Sequence, residues 1–179
     1  MASWQFPSVW SRTVASSDRS NQQASNGPEV ANLGIVRPPL VYLASIATGL
    51  AVHLAWPLRL VPPRLGAPLG AAAASVAIAL FLVSVRSFRV AGTPVPGNRP
   101  TTTVVRTEPY RYSRNPIYLS FSLLQLGIAF WVNSIWLLVT LIPAVLLMSL
   151  VVIPREEAYL EARFPSEYLP YKASVRRWL

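Results

Sequence analysis

Cysteine is absent from the 179 residues, and histidine and aspartate occur once each, as His53 and Asp18. Without thiols there are no disulfides, no thiolate metal ligands and no cysteine nucleophile. A single His in an apolar run and a single Asp in a polar tail do not assemble a Ser-His-Asp triad. No metal site is expected. Charge is also scarce: 13% of residues are charged, against about a quarter in soluble domains. Acids are the rarer sign, with seven Asp and Glu facing sixteen Lys and Arg for a net charge of +9. In a soluble chain that excess would point to nucleic acid. Here 53% of residues are hydrophobic, and the long uncharged runs exclude both a soluble chain and a nucleic-acid partner.

Those runs occupy residues 38–58, 65–85 and 115–154, bounded by Arg37 and Arg59, Arg64 and Arg86, and Arg114 and Arg155. A helix needs about 20 apolar residues to cross roughly 30 Å of hydrocarbon. The first two runs supply one span each. The third breaks at Asn133-Ser134, between Trp131 and Trp136, whose amphipathic rings favour the headgroup level. The expectation is an all-α, polytopic membrane protein with about four spans, near 38–58, 65–85, 116–132 and 135–153. Four spans put the N-terminal tail, the 86–114 connection and the C-terminal segment on one side. Fourteen of the sixteen basic residues and all seven acids fall there, leaving Arg59 and Arg64 opposite. The positive-inside bias then predicts cytoplasmic termini in a bacterial inner membrane or an endoplasmic-reticulum-type membrane.

Residues 1–37, rich in Ser, Asn and Gln, lack the 7–15-residue apolar core of a signal peptide and read as a disordered tail. Residues 38–179 form the membrane domain. Ala-rich segments such as Ala71–Ala74 allow close helix contact. The 86–114 connection, dense in Pro and Gly, reads as an ordered irregular loop with a short extended piece over Thr101–Val105. Asn115-Pro116 opens the third helix with Pro in its first turn. After Pro154, residues 155–163 read as a charged interfacial helix, and 167–172 as a short amphipathic piece. Because the third and fourth helices form a hairpin, Tyr110, Arg114 and Asn115 should approach Glu156 and Glu157 at the membrane surface. Spacing alone leaves two readings of that cluster: a functional site, or ordinary interfacial anchoring by Arg and Tyr.

The stretch Glu108-Pro109-Tyr110-Arg111-Tyr112-Ser113-Arg114-Asn115-Pro116-Ile117-Tyr118-Leu119 resembles the signature of the isoprenylcysteine carboxyl methyltransferase family, whose wider group includes phospholipid N-methyltransferases. The Glu156-Glu157 pair after the last span and the ending Phe164-Pro165-Ser166-Glu167-Tyr168-Leu169-Pro170-Tyr171 match as well. The resemblance covers about residues 80–179. It implies a membrane enzyme that uses S-adenosylmethionine (SAM) in a fold that is not of the Rossmann type. In agreement, the eight glycines nowhere form a G-x-G-x-x-G loop.

Carried over residue by residue, the resemblance implies cofactor contacts at Thr102, Thr103, Val104, Val105, Tyr110, Asn115, Pro116, Ile117, Tyr118 and Glu156. The cofactor site would then lie on the cytoplasmic side, formed by the 86–116 loop and the C-terminal helix. Arg114 would neutralise the methionyl carboxylate, and Glu156 would accept from the ammonium or the ribose hydroxyls. Arg114 and Glu157 are the expected catalytic pair, Glu157 standing with Glu156 or a tyrosinate as a possible base. Three positions depart from the family pattern. Glu108 replaces Gly, Asn115 replaces the commoner His and cannot carry charge, and Val152 stands where eukaryotic members carry Arg for a substrate carboxylate. The expected acceptor is small and lipophilic or prenylated, reached laterally through the bilayer. The alternatives are a phospholipid amine and a silent scaffold. Membrane lipids are the expected partners. Gln125 is expected to hydrogen-bond between helices, Gly127, Ser120 and His53 to pack, and Lys172, Arg176 and Arg177 to meet anionic headgroups.

Overall fold

Prolines open the helices. The computed structural model describes residues 37–95 and 101–179, and Pro stands in the first turn of α1 (Pro38–Ala55), α2 (Pro63–Val90) and α3 (Pro116–Val132). At that position its missing N–H is not needed and its fixed φ suits the helix. Next, α4 (Ile135–Leu147) continues through a π turn at Met148–Val152 into α5 (Ile153–Arg163), and α6 (Pro165–Ser174) follows. No strand occurs among the described residues. The tail up to residue 36 and the Pro/Gly-rich centre of the loop at 96–100 lie outside the described residues.

Three helices are long and apolar enough to cross a membrane: α1, α2 and the continuous run Ile135–Arg163. The fourth expected span, α3, is apolar but has 17 residues.

Several expected boundaries move. Helix α1 stops at Ala55 rather than 58, because Pro57 disfavours helical backbone at Trp56. Helix α2 runs on to Val90, placing Arg86 and Arg89 on a helix instead of in the loop. Charge does not end a helix. Gly92, with φ of +64°, turns the chain two residues later. The last span does not stop at 153 but continues to Arg163. Pro154 brings no N–H to the ladder, and the Ile153 N–H reaches back to the Met148 carbonyl across the wider π turn. Thr101–Val105, expected as an extended piece, finds no strand partner among the described residues.

Helices α2 and α3 pack along each other, and α1 lies mainly against α4. The α2–α3 crossing is close because it is made of glycine. A Cβ on Gly70 would stand 2.7 Å from the Trp131 backbone nitrogen, and one on Gly127 would stand 2.9 Å from the Ala74 nitrogen. Between α1, α3 and α4 an apolar cluster around Tyr42, Tyr118 and Ala144 is joined by polar contacts. Gln125 Nε2 donates to Ser45 Oγ (2.7 Å) and the Leu137 carbonyl (3.0 Å), and Ser45 donates to the Thr140 carbonyl (2.8 Å). This is the interhelical role expected of Gln125.

At one end of the bundle the two tight turns are fastened together. Asn133, in the left-handed region, accepts the Leu60 and Val61 N–H groups on Oδ1, both at 2.9 Å. Trp136 Nε1 donates to the Trp56 carbonyl (2.6 Å). The opposite end gathers Arg37, residues 91–95 and 101–115, α5 and α6.

Candidate active site

The loop after α2 is held in place by α2 and α6. Ser87 Oγ donates to the Glu108 carbonyl (2.6 Å), and Tyr171 donates to the Tyr110 carbonyl (2.7 Å). Phe88 stacks edge-on to Tyr110, with ring centroids 5.1 Å apart. Together with Val105, Tyr168 and Tyr171 these rings form an apolar cluster beneath the loop. Phe88 comes from the last turns of α2, the Tyr pair from α6 and Val105 from the loop. The chain therefore returns to one spot three times.

Above this cluster opens a cleft of about 760 Å³, including its mouth. Of the predicted residues, Thr103, Val104, Val105, Tyr110, Arg114, Asn115, Ile117, Tyr118, Glu156 and Glu157 line it. Two do not. Thr102 is exposed and gives its N–H to Thr93 Oγ1 (2.9 Å), and Pro116 is buried in the first turn of α3. The wall also contains Phe88, Leu160, Tyr168 and Tyr171. Tyr168 and Tyr171 belong to the recognised ending, three residues apart in a helix, and that spacing was the available signal. Phe88 gave none, lying in a stretch read as loop.

The two neighbouring glutamates have different partners. Glu156 Oε1 accepts from the Tyr118 hydroxyl at 2.5 Å. Glu157 is held by cations on both oxygens. Arg177 donates from Nη2 to Oε2 (2.6 Å) and from Nε to Oε1 (3.1 Å), and Arg114 Nη2 lies 3.3 Å from Oε1. These bonds hold the Arg177 guanidinium protonated more firmly than usual.

Arg114 keeps something in reserve. Its side chain is 10% exposed, yet Nε and Nη1 are buried without a hydrogen-bond partner, as is the Tyr110 hydroxyl. Ser84 Oγ, whose own proton goes to the Leu80 carbonyl, is in reach to accept from that hydroxyl. Unmet buried donors cost free energy, more so when charged. The two on Arg114, a residue that lines the cleft, are donors that a ligand's acceptors could satisfy. Asn115 also lines the cleft, with one amide hydrogen committed to the Arg177 carbonyl (3.0 Å).

Burial keeps the Tyr110, Tyr168 and Tyr171 hydroxyls protonated. Burial pushes the Tyr168 hydroxyl up to about 12, with the nearby Glu157 carboxylate adding to the rise and Arg114 opposing it. Burial likewise lifts the Tyr110 and Tyr171 hydroxyls well above the usual phenol range. Of the three basic residues expected to meet lipid headgroups, two are otherwise engaged. Lys172 pairs with Glu161 and Arg177 with Glu157, leaving Arg176 exposed.

The family described as phospholipid methyltransferase matches residues 66–167, from the first turns of α2 into the start of α6. A protein of Haemophilus influenzae, described as uncharacterized, is 40% identical over 63 residues, which are 35% of this chain and 100% of that protein. No solved structure matches.

Proposed function

This chain belongs to the phospholipid methyltransferase family, and on that premise we propose that it transfers a methyl group from SAM to the amine of a membrane lipid. The observation that supports this most is the buried fork of Arg114, with two unmet N–H donors, on the same wall as Glu156. SAM presents a carboxylate, an ammonium, ribose hydroxyls and a flat adenine ring. The cleft offers a counterpart for each. The open donors of Arg114 suit the carboxylate, and Glu156, engaged only through Oε1, suits an ammonium or the ribose. Phe88 and Tyr110 provide aromatic surface, and the backbone of Thr103 and Val104 provides polar edges. When bound, SAM supplies a methyl group on a positively charged sulfur.

What the protein does around that group is positioning. Val105, Ile117 and Leu160 exclude water, and the cleft can hold donor and acceptor at about 3–3.5 Å. Glu157, bound on both oxygens by Arg177 and Arg114, orients Arg114. Glu156 is the carboxylate left to take a proton, and an amine acceptor needs to lose one before it attacks.

The family's description puts an amine acceptor ahead of the prenylated or carboxylate acceptor. Val152 points the same way: it lies 3% exposed in the core beside Met148 and Ile153 and offers a carboxylate no cation.

The reading further holds that α3 completes four spans, with the cleft on the cytoplasmic side. Its test is methyl transfer from radiolabelled SAM in nanodiscs containing phosphatidylethanolamine. Label is expected in the lipid with wild type and not with Glu156→Ala. SAM binding without transfer to the amine would overturn the acceptor. Absence of binding by folded wild type would overturn the cofactor and leave a silent scaffold.

A further inference from the structure

Residues 175–178 follow α6 and run back across the opening of α3, each with a contact to the rest of the fold. Val175 packs on the aromatic cluster of Phe88, Tyr110, Tyr168 and Tyr171. The Arg176 carbonyl accepts the Arg114 backbone N–H (3.0 Å). The Arg177 carbonyl accepts from Asn115 Nδ2 (3.0 Å) and Ser113 Oγ (3.4 Å). Trp178 packs on the core around Tyr42, Tyr118, Met148 and Ile153. The Arg177 guanidinium then reaches two parts of the last long helix: Glu157, and the Ser149 carbonyl (3.3 Å) inside the π turn.

The result bears on Arg114. Two guanidinium groups share one carboxylate, and Arg177 takes the better geometry, with two bonds of 2.6 and 3.1 Å. Arg114 is left with one contact to that carboxylate, at 3.3 Å, and also lies beside the Tyr168 hydroxyl. A carboxylate with a single Arg partner favours a parallel two-bond fork. If Arg177 were missing, Arg114 would be free to close onto Glu157 in that way, and its now unpaired N–H groups would be drawn to that carboxylate.

We propose that Arg177 is a positioning residue of the cleft: by occupying Glu157 and strapping residues 113–115, it keeps the Arg114 fork open for a ligand carboxylate. This rests on the SAM reading above for the identity of that ligand, but the strap itself does not.

Two measurements on the whole chain in nanodiscs separate these. The first is calorimetric binding of S-adenosylhomocysteine, which carries the carboxylate, and of 5′-methylthioadenosine, which lacks it. Arg177→Ala is expected to weaken the first about tenfold or more and the second by less than about twofold, with Arg177→Lys recovering most of the loss. A general loosening would weaken both ligands alike, and that result, or no loss at all, overturns the proposal. The second is hydrogen exchange of the peptide covering residues 113–116, expected to quicken in Arg177→Ala. Should wild type bind neither nucleoside, the SAM reading falls and exchange alone decides the strap: quickened exchange sustains it, unchanged exchange overturns it. If Arg177→Ala does not elute as a folded species, Arg177→Gln takes its place in both arms.

Discussion

Glu156 and Glu157 are adjacent in a helix, and their different surroundings divide their work. Glu157 is neutralised by two guanidinium groups, whereas Glu156 meets only a phenol. The carboxylate that offers charge to a ligand is therefore Glu156. Glu156→Gln keeps the size of the side chain and removes that charge. It is expected to lower SAM affinity at least about tenfold, since hydrogen bonds to charged groups contribute about 1.5–3 kcal/mol. Calorimetry at unchanged helical content is the check, and wild-type affinity would move the ammonium elsewhere. Tyr118→Phe leaves the buried carboxylate without its donor. A loss of about 1.5–3 kcal/mol is expected, seen as a lower midpoint of thermal unfolding, and an unshifted midpoint would mean that water replaces the hydroxyl. Tyr110, Arg114, Asn115 and the Glu pair were legible in the sequence because they stand in compact motifs. Arg177 was not. A basic residue near a membrane end reads as a headgroup ligand until the fold shows Glu157 opposite it. Thr102 stands apart from its neighbours in the run, exposed and with its N–H given to Thr93 Oγ1.

The pairing of α2 with α3 depends on missing side chains. Gly70 and Gly127 lie where the backbones touch, so any substituent there meets main chain and not a movable side chain. Gly70→Val is expected to cost about 1–3 kcal/mol, the usual range for overpacking. Ala72→Val, on the exposed face of the same helix, is expected to be neutral. Equal melting of the two variants in detergent would show that the crossing can open without loss. Since Phe88 on α2 and Ile117 on α3 both line the cleft, this crossing also fixes two of its walls. The helices themselves were legible as uncharged runs, but their ends were not. Apolar runs stop where the hydrocarbon stops, whereas helices stop where hydrogen bonding fails. That is why α2 passes Arg86 and Arg89 and ends only at the Gly92 turn, and why the last helix passes Pro154 by widening into a π turn.

The cleft constrains how the whole chain crosses the bilayer. Arg114 precedes α3 and Glu157 follows α4, yet they stand 3.3 Å apart. In the proposed four-span arrangement both ends of that hairpin face the same side of the membrane, and α3 and α4 cross together. A count of three spans, with α4 crossing and α3 not, would separate Arg114 from Glu157 by the thickness of the bilayer. The 17 residues of α3 rise about 25 Å at 1.5 Å each, a few ångströms short of about 30 Å of hydrocarbon. Local thinning or flanking residues accommodate that mismatch at small cost. The absence of cysteine makes sidedness directly measurable. Single cysteines at Arg59, Arg106 and Arg155, all exposed positions, can be labelled with a membrane-impermeant maleimide in intact cells and after permeabilisation. Four spans under the positive-inside bias predict labelling of Arg59→Cys from outside, and of Arg106→Cys and Arg155→Cys only after permeabilisation. Labelling of 106 and 155 from opposite sides would break the hairpin, and with it the cleft. Labelling of both from outside would keep the cleft but turn it away from the cytoplasm, the compartment in which SAM is made.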